Sequence, residues 1–182
     1  MVTGPRRAGK STICAAALAA SHQVLSDDSL LCWLDRGASV VAPFRRFLSF
    51  RRGSLHVLPP VLRNRLGCIR MPEEERWLHP LPASSLAQSG RRLSTLWFTR
   101  VDERTRKTTI TPLGKGHALA ALLNSTSVLF LSGKYVEEAA ALLHVMVATV
   151  EQARSFEVVL GEDLLRHPDE TLGRLIETSE SA

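Results

Sequence analysis

The 182-residue chain is 45% hydrophobic and 23% charged, the composition of an ordinary folded domain long enough to bury a sizeable core. It contains no apolar run of about 18 residues that would cross a membrane. Arg6, Arg7 and Lys10 interrupt the stretch where a signal peptide would need an apolar segment, so one cytoplasmic domain over residues 1–182 is expected. The net charge of +5 and pI near 9.6 speak to association rather than to fold. Arg45, Arg46, Arg51, Arg52, Arg63, Arg65, Arg70, Arg91 and Arg92 are scattered among apolar residues and turns. This is a solvated basic surface compatible with an acidic peptide, and it lacks the continuous basic face of a nucleic-acid binder. Cys14, Cys32 and Cys68 are widely spaced and form no CxxC pair, which argues against a disulfide framework or a zinc site.

Taken in chain order, the first feature is "TGPRRAGKST", residues 3 to 12. Only Met1 and Val2 precede it, so the strand from which such a loop normally hangs is expected to be missing. "STICAAALAASH" reads as an alanine-rich helix ending near His22. "QVL" reads as a strand that ends at Asp27-Asp28, followed by a second strand from about Leu30 to Leu34. "DRGAS" is a turn and "VVAPF" continues the sheet. Residues 45–89, with Pro59, Pro60, Pro72, Pro80 and Pro82, are the least regular and predict short elements packed over a sheet. "RRLSTLWFTRVDE" alternates as a strand, "RTRK" turns, and "TTITPL" returns, predicting a hairpin. "GKGHALAALLNST" is a helix to Asn124. "KYVEEAAALLHVMVATVEQA" is the longest helix, with Tyr135, Ala139, Leu142, Leu143, Met146 and Val150 on one face. "SFEVVLG" is a late strand and "DETLGRLIET" a last helix. Strands interleaved with helices define the class α/β, a mixed β-sheet with flanking helices.

Gly4, Gly9, Lys10 and Ser11 match G-x-x-x-x-G-K-[ST], the Walker A phosphate-binding loop (P-loop). Glycines let the backbone curl so that successive amides point at phosphate oxygens, and the helix that follows directs its positive end to the same place. The nucleotide-binding residues are therefore Gly4, Pro5, Arg6, Arg7, Ala8, Gly9, Lys10, Ser11 and Thr12. Lys10 reaches the β- and γ-phosphates of ATP, and the Ser11 hydroxyl ligates Mg2+. Asp27 and Asp28 supply the carboxylates that phosphoryl transfer needs, one to hold metal and one to accept a proton from the attacking hydroxyl. Adjacent strand residues face opposite sides, so the residues alone leave open which does which. Arg46, Arg51 and Arg52 are further candidates for neutralising phosphate. His22 reads as a helix-end residue meeting the last carbonyls.

Together, "GPRRAGKS", the short helix, "SHQVLSDDSLL", "FRRFLSFRRGSLHVLP" and "SFEVVLGEDL" resemble the HPr kinase/phosphorylase catalytic domain, most closely its short bacterial relatives. The resemblance implies a fold like that of phosphoenolpyruvate carboxykinase. It also implies ATP-dependent phosphorylation of a serine-type hydroxyl, with a peptide or protein as the partner, as in relatives that tailor peptides. It gives Asp27 the role of catalytic base beside Lys10, and Asp28 that of metal support beside Ser11. Arg6 and Arg7 occupy the places of a serine and a glycine in the family's usual loop, and HPr itself is not the expected acceptor. A nucleotide hydrolase, a small-molecule kinase and a nucleotide-binding partner without turnover remain as alternatives. Self-association stays open.

Overall fold

The computed structural model describes residues 1–26, 30–43, 47–51, 55, 59–60, 63–64, 69–71, 76–80, 90–125 and 136–181. The chain opens with β1 (Val2–Thr3) and α1 (Lys10–Ala19), then β2 (Leu30–Asp35) and β3 (Ala38–Pro43). Next come β4 (Phe47–Arg51), β5 (Ile69–Met71), β6 (Arg76–Pro80), β7 (Arg91–Arg92), β8 (Thr95–Val101) and β9 (Thr109–Pro112). The C-terminal part holds α2 (Lys115–Ser125), α3 (Val136–Gln152), β10 (Arg154–Leu160), α4 (Asp163–Arg166) and α5 (Pro168–Ser181). The class is mixed α/β, as expected.

The main sheet has the order β1-β8-β10-β9. β1, β8 and β10 run parallel, with Trp97 opposite both Val2 and Phe156, and β9 is antiparallel to β10. Helices cover both faces, as a largely parallel sheet requires. On one face Leu96 and Phe98 of β8 pack with Ala118 and Leu122 of α2 and Met146 and Val150 of α3. On the other, Phe156, Val158 and Leu160 of β10 pack with Ile13 and Ala16 of α1 and Leu172 and Leu175 of α5. Trp97 donates its indole N–H to Ser179 Oγ at 2.8 Å, which ties α5 to that face.

Helix α1 is buried on two sides. Its Cys14, Ala15 and Ala19 pack against Leu48 and Phe50 of β4, in a second sheet of order β4-β6-β5. Alanines suit this position because two sheets approach the same helix. A third sheet, β2-β3-β7, begins as a hairpin whose turn residues Arg36 and Gly37 have φ of 49° and 82°, the two positive values of a tight type I′ connection. Gln152 of α3 holds that turn, accepting from Ser39 N–H at 2.9 Å and donating to Gly37 O at 2.6 Å.

Several expectations change. The hairpin predicted from "RRLSTLWFTRVDE" and "TTITPL" does not form: β9 pairs with β10, and β10 lies between it and β8. Both edges of β8 are taken by parallel partners, leaving none for a returning strand. The strand expected to be missing before the phosphate loop is present as β1, two residues paired to β8. No strand is formed by residues 22–26, where one was expected. There the chain leaves α1 through a left-handed Ser21 (φ 62°), with Ser21 N–H on Leu18 O at 3.0 Å and His22 N–H on Ala17 O at 2.8 Å, a Schellman ending. It is the His22 backbone that closes the helix, and the residue is exposed. On α3 the buried stripe is Met146 and Val150 with Leu142 half-buried, while Leu143 is 45% exposed. Tyr135 lies outside the described residues.

Candidate functional site

The Gly4–Gly9 loop leaves the carboxyl end of β1 and enters α1 at Lys10. A turn closes it from Ala8 N–H to Pro5 O at 3.3 Å. Arg7 takes φ of 64° and Gly9 φ of 79°, the left-handed values that curl the chain. Gly9 is also sterically required: a Cβ there would run into Leu160 Cδ1 and lie 3.0 Å from Val101 Cγ2. The loop thus rests on the paired ends of β8 and β10, where Val101 faces Leu160. In α/β sheets ligands bind beyond these carboxyl ends.

Gly9 is the N-cap of α1 and has no side chain to cap the helix, and the first turn carries no acidic residue. The leading amides of α1 and the positive end of its dipole therefore face outward without an anionic partner from the helix itself. Lys10 folds back over the loop, its ammonium donating to Gly4 O at 2.8 Å and Pro5 O at 2.7 Å. Ser11 and Thr12, half-buried in the first turn, follow directly. Arg6 and Arg7 are exposed on the outer side of the curl. These residues fit a nucleotide's phosphate chain: a curled backbone, a helix start without a side-chain cap and one ammonium over the loop.

The carboxylates Asp27 and Asp28 lie outside the described residues, as do Arg46 and Arg52. The segment that leads to them is described. Gln23, Val24, Leu25 and Ser26 line a cavity of about 350 Å³ together with Lys10, Ile13 and Cys14 of α1. Ser26, which directly precedes Asp27 in sequence, shares this cavity with Lys10. Of the two expected metal-side residues only Ser11 is described, and among the described residues no cluster of three or more His, Cys, Asp or Glu could hold a metal ion.

A second constellation was not legible in the sequence. Asp163, three residues beyond the end of β10, accepts Thr108 N–H at 2.7 Å and Thr108 O–H at 2.6 Å. Its other oxygen takes Arg174 at 2.8 Å, and Arg174 also donates to Thr108 O at 3.1 Å. Burial alone would push the Asp163 carboxyl up. The Thr108 hydroxyl and amide and the Arg174 guanidinium outweigh it and hold the group below the usual carboxylate value. The available signal was the position of "GED" just after an apolar parallel strand, where site residues gather in such sheets.

Comparison of the chain with protein-family models, with curated proteins and with solved structures returns no match. Among the described residues no helix is long and apolar enough to cross a membrane.

Proposed function

We propose that this chain is an ATP-dependent kinase with an HPr-kinase-like, phosphoenolpyruvate-carboxykinase-like P-loop fold, acting on a serine-type hydroxyl of a peptide or protein. The observation that carries this reading is the loop itself: a parallel strand, a curled Gly4–Gly9 backbone, an uncapped helix and the Lys10 ammonium folded over it. Bound MgATP supplies the γ-phosphoryl group. The loop and the first amides of α1 would bind and orient the phosphates, and the Ser11 hydroxyl would help hold Mg2+. Lys10 exchanges its hold on the Gly4 and Pro5 carbonyls for the β- and γ-phosphate oxygens. Asp27 accepts the acceptor's proton, and Asp28 supports the metal. Little covalent chemistry is asked of the protein beyond positioning and charge neutralisation. The shared cavity of Lys10 and Ser26 supports bringing the Asp27 segment to the loop.

The test is transfer of label from γ-labelled ATP to candidate serine peptides. Lys10→Ala is expected to lower transfer about a thousandfold, since a positioned cation at developing charge contributes several kcal/mol, while circular dichroism stays unchanged. Unaltered transfer by the folded variant overturns the assignment. Asp27→Asn should abolish transfer with magnesium-dependent ATP binding retained, and Asp28→Asn should weaken that binding too. One observation favours a second reading, a nucleotide-binding partner without turnover: Arg7 sits at φ 64°, where a glycine would rest unstrained. Tight MgATP binding with no transfer to peptide or water would mark that case, and transfer to water alone would mark a hydrolase.

A further inference from the structure

At the carboxyl edge of the main sheet, the chain leaving β8 is fastened to the chain leaving β10 by a run of short bonds. Arg104 N–H donates to the Asp102 carboxylate at 3.0 Å and Thr105 N–H to Asp102 O at 2.9 Å. Glu162 N–H donates to Thr105 O at 3.2 Å and Asp163 N–H to Arg106 O at 3.1 Å. Gly161 N–H donates to Thr108 Oγ1 at 3.0 Å, and Asp163 and Arg174 close the crossing as described. The crossing is tight enough that a Cβ on Gly161 would lie 2.7 Å from the Lys107 carbonyl carbon and 2.8 Å from Thr108 N.

None of these bonds uses the side chains of Arg104, Arg106 or Lys107. All three are exposed on a backbone that is held in place. Other cations at this end have carboxylate partners: Arg100 with Glu157 at 3.0 Å, Arg166 with Glu162 at 2.9 Å and Arg174 with Asp163. Arg104, Arg106 and Lys107 have no carboxylate partner among the described residues, and neither do Arg6 and Arg7 on the phosphate loop. Gly9 packs on Val101 and three residues span at most about 11 Å, so Arg104 begins close to the loop's seat. Among the described residues of this segment, Glu103 is the exposed carboxylate whose side chain makes none of these bonds, and the cations outnumber it.

On the kinase reading the loop amides and Lys10 meet the nucleotide's phosphates, which leaves the exposed Arg104, Arg106 and Lys107 for another anionic group. A single-stranded nucleic acid would need aromatic stacking platforms beside the charge, and residues 102–108 contain none. A fixed backbone removes the loop-ordering part of the cost of binding. We propose that Arg104, Arg106 and Lys107 form a docking surface for an acidic peptide. Resting on the kinase reading, this makes the acceptor a peptide with Asp or Glu residues flanking its serine.

The experiment measures fluorescence anisotropy of a labelled serine peptide flanked by glutamates. Controls are its lysine-flanked counterpart and a single-stranded oligonucleotide of equal charge, and a fluorescent ATP analogue with magnesium is titrated in parallel. The glutamate peptide is expected to bind the wild-type chain selectively and to weaken as salt screens the contact. Arg104→Ala/Arg106→Ala/Lys107→Ala should weaken it at least tenfold while MgATP affinity changes less than twofold. The charge reversal Arg104→Glu/Arg106→Glu/Lys107→Glu should reject the glutamate peptide and take up the lysine one. Unchanged peptide affinity in the alanine variant overturns the proposal, as does tighter binding of the oligonucleotide or a parallel loss of MgATP. A wild-type chain that binds no MgATP defeats the kinase reading alone, and the peptide titration still decides the docking surface.

Discussion

Arg7 sits where the Gly4–Gly9 loop curls, with φ of 64°. A residue with a Cβ pays about 1–2 kcal/mol for that conformation, whereas a glycine adopts it freely but loses about 0.5–1 kcal/mol of backbone freedom on folding. The balance favours relief of strain. Arg7→Gly is therefore expected to keep the fold and stabilise it by up to about 1 kcal/mol, a rise of about 2–4 °C in Tm for a chain of this size. Arg7→Val, β-branched, should fall in the opposite direction. Thermal melts of the two variants check the pair, and a lower Tm for the glycine form would show that the arginine side chain contributes more contact than the backbone loses.

At the scale of elements, α1 couples the Gly4–Gly9 loop to two sheets. Ala15 and Ala16 have no exposed surface, one turned to the β4 side and the other to β10. Alanine there is a packing requirement as much as a helix preference. Ala16→Leu inserts volume between α1 and β10 and should destabilise by about 1–3 kcal/mol. Ala120→Leu, on the exposed side of α2, should stay within about 0.5 kcal/mol. Urea denaturation distinguishes them, and equal midpoints would mean that α1 is less tightly sandwiched than its contacts indicate. Because Gly9 begins the same helix, a shift of α1 away from β10 should also lower nucleotide affinity.

Across the whole molecule, the Asp163 clamp joins the segments leaving β8 and β10 to α5. Its carboxyl is held below its ordinary value of 3.8, so the stabilisation is fully present above about pH 3.8 and is lost as pH falls through the lower folded-state value. Asp163→Asn removes a charged acceptor from Thr108 and Arg174 and should cost about 2 kcal/mol at neutral pH. The gap between wild type and variant should then narrow below pH 4. A gap that stayed constant from pH 7 to pH 3 would show that the carboxylate's charge is not what holds the crossing. The same variant tests the docking surface indirectly, since Arg104, Arg106 and Lys107 are carried by the segment that Asp163 fastens.

The glycine-flanked curl before α1, the turn at Arg36-Gly37 and the extents of α1, β2, β10 and α5 were legible because each is decided within a few residues, by glycine placement, apolar period or turn sterics, whereas "RRLSTLWFTRVDE", read as one strand, divides into β7 (Arg91–Arg92), which pairs with β3, and β8 (Thr95–Val101). The Lys10 and Ser11 positions follow from the same local pattern. Strand partnership was not legible. The order β1-β8-β10-β9 depends on which strand fills each edge of β8, and "TTITPL" carries the same alternation whether it returns to β8 or pairs with β10. Nor did the sequence bring Thr108 to Asp163, 55 residues away, since that meeting exists only once two strands end side by side. Local sterics set the pieces and the curl before α1; competition among distant strands for hydrogen-bonding edges decided which side chains surround it.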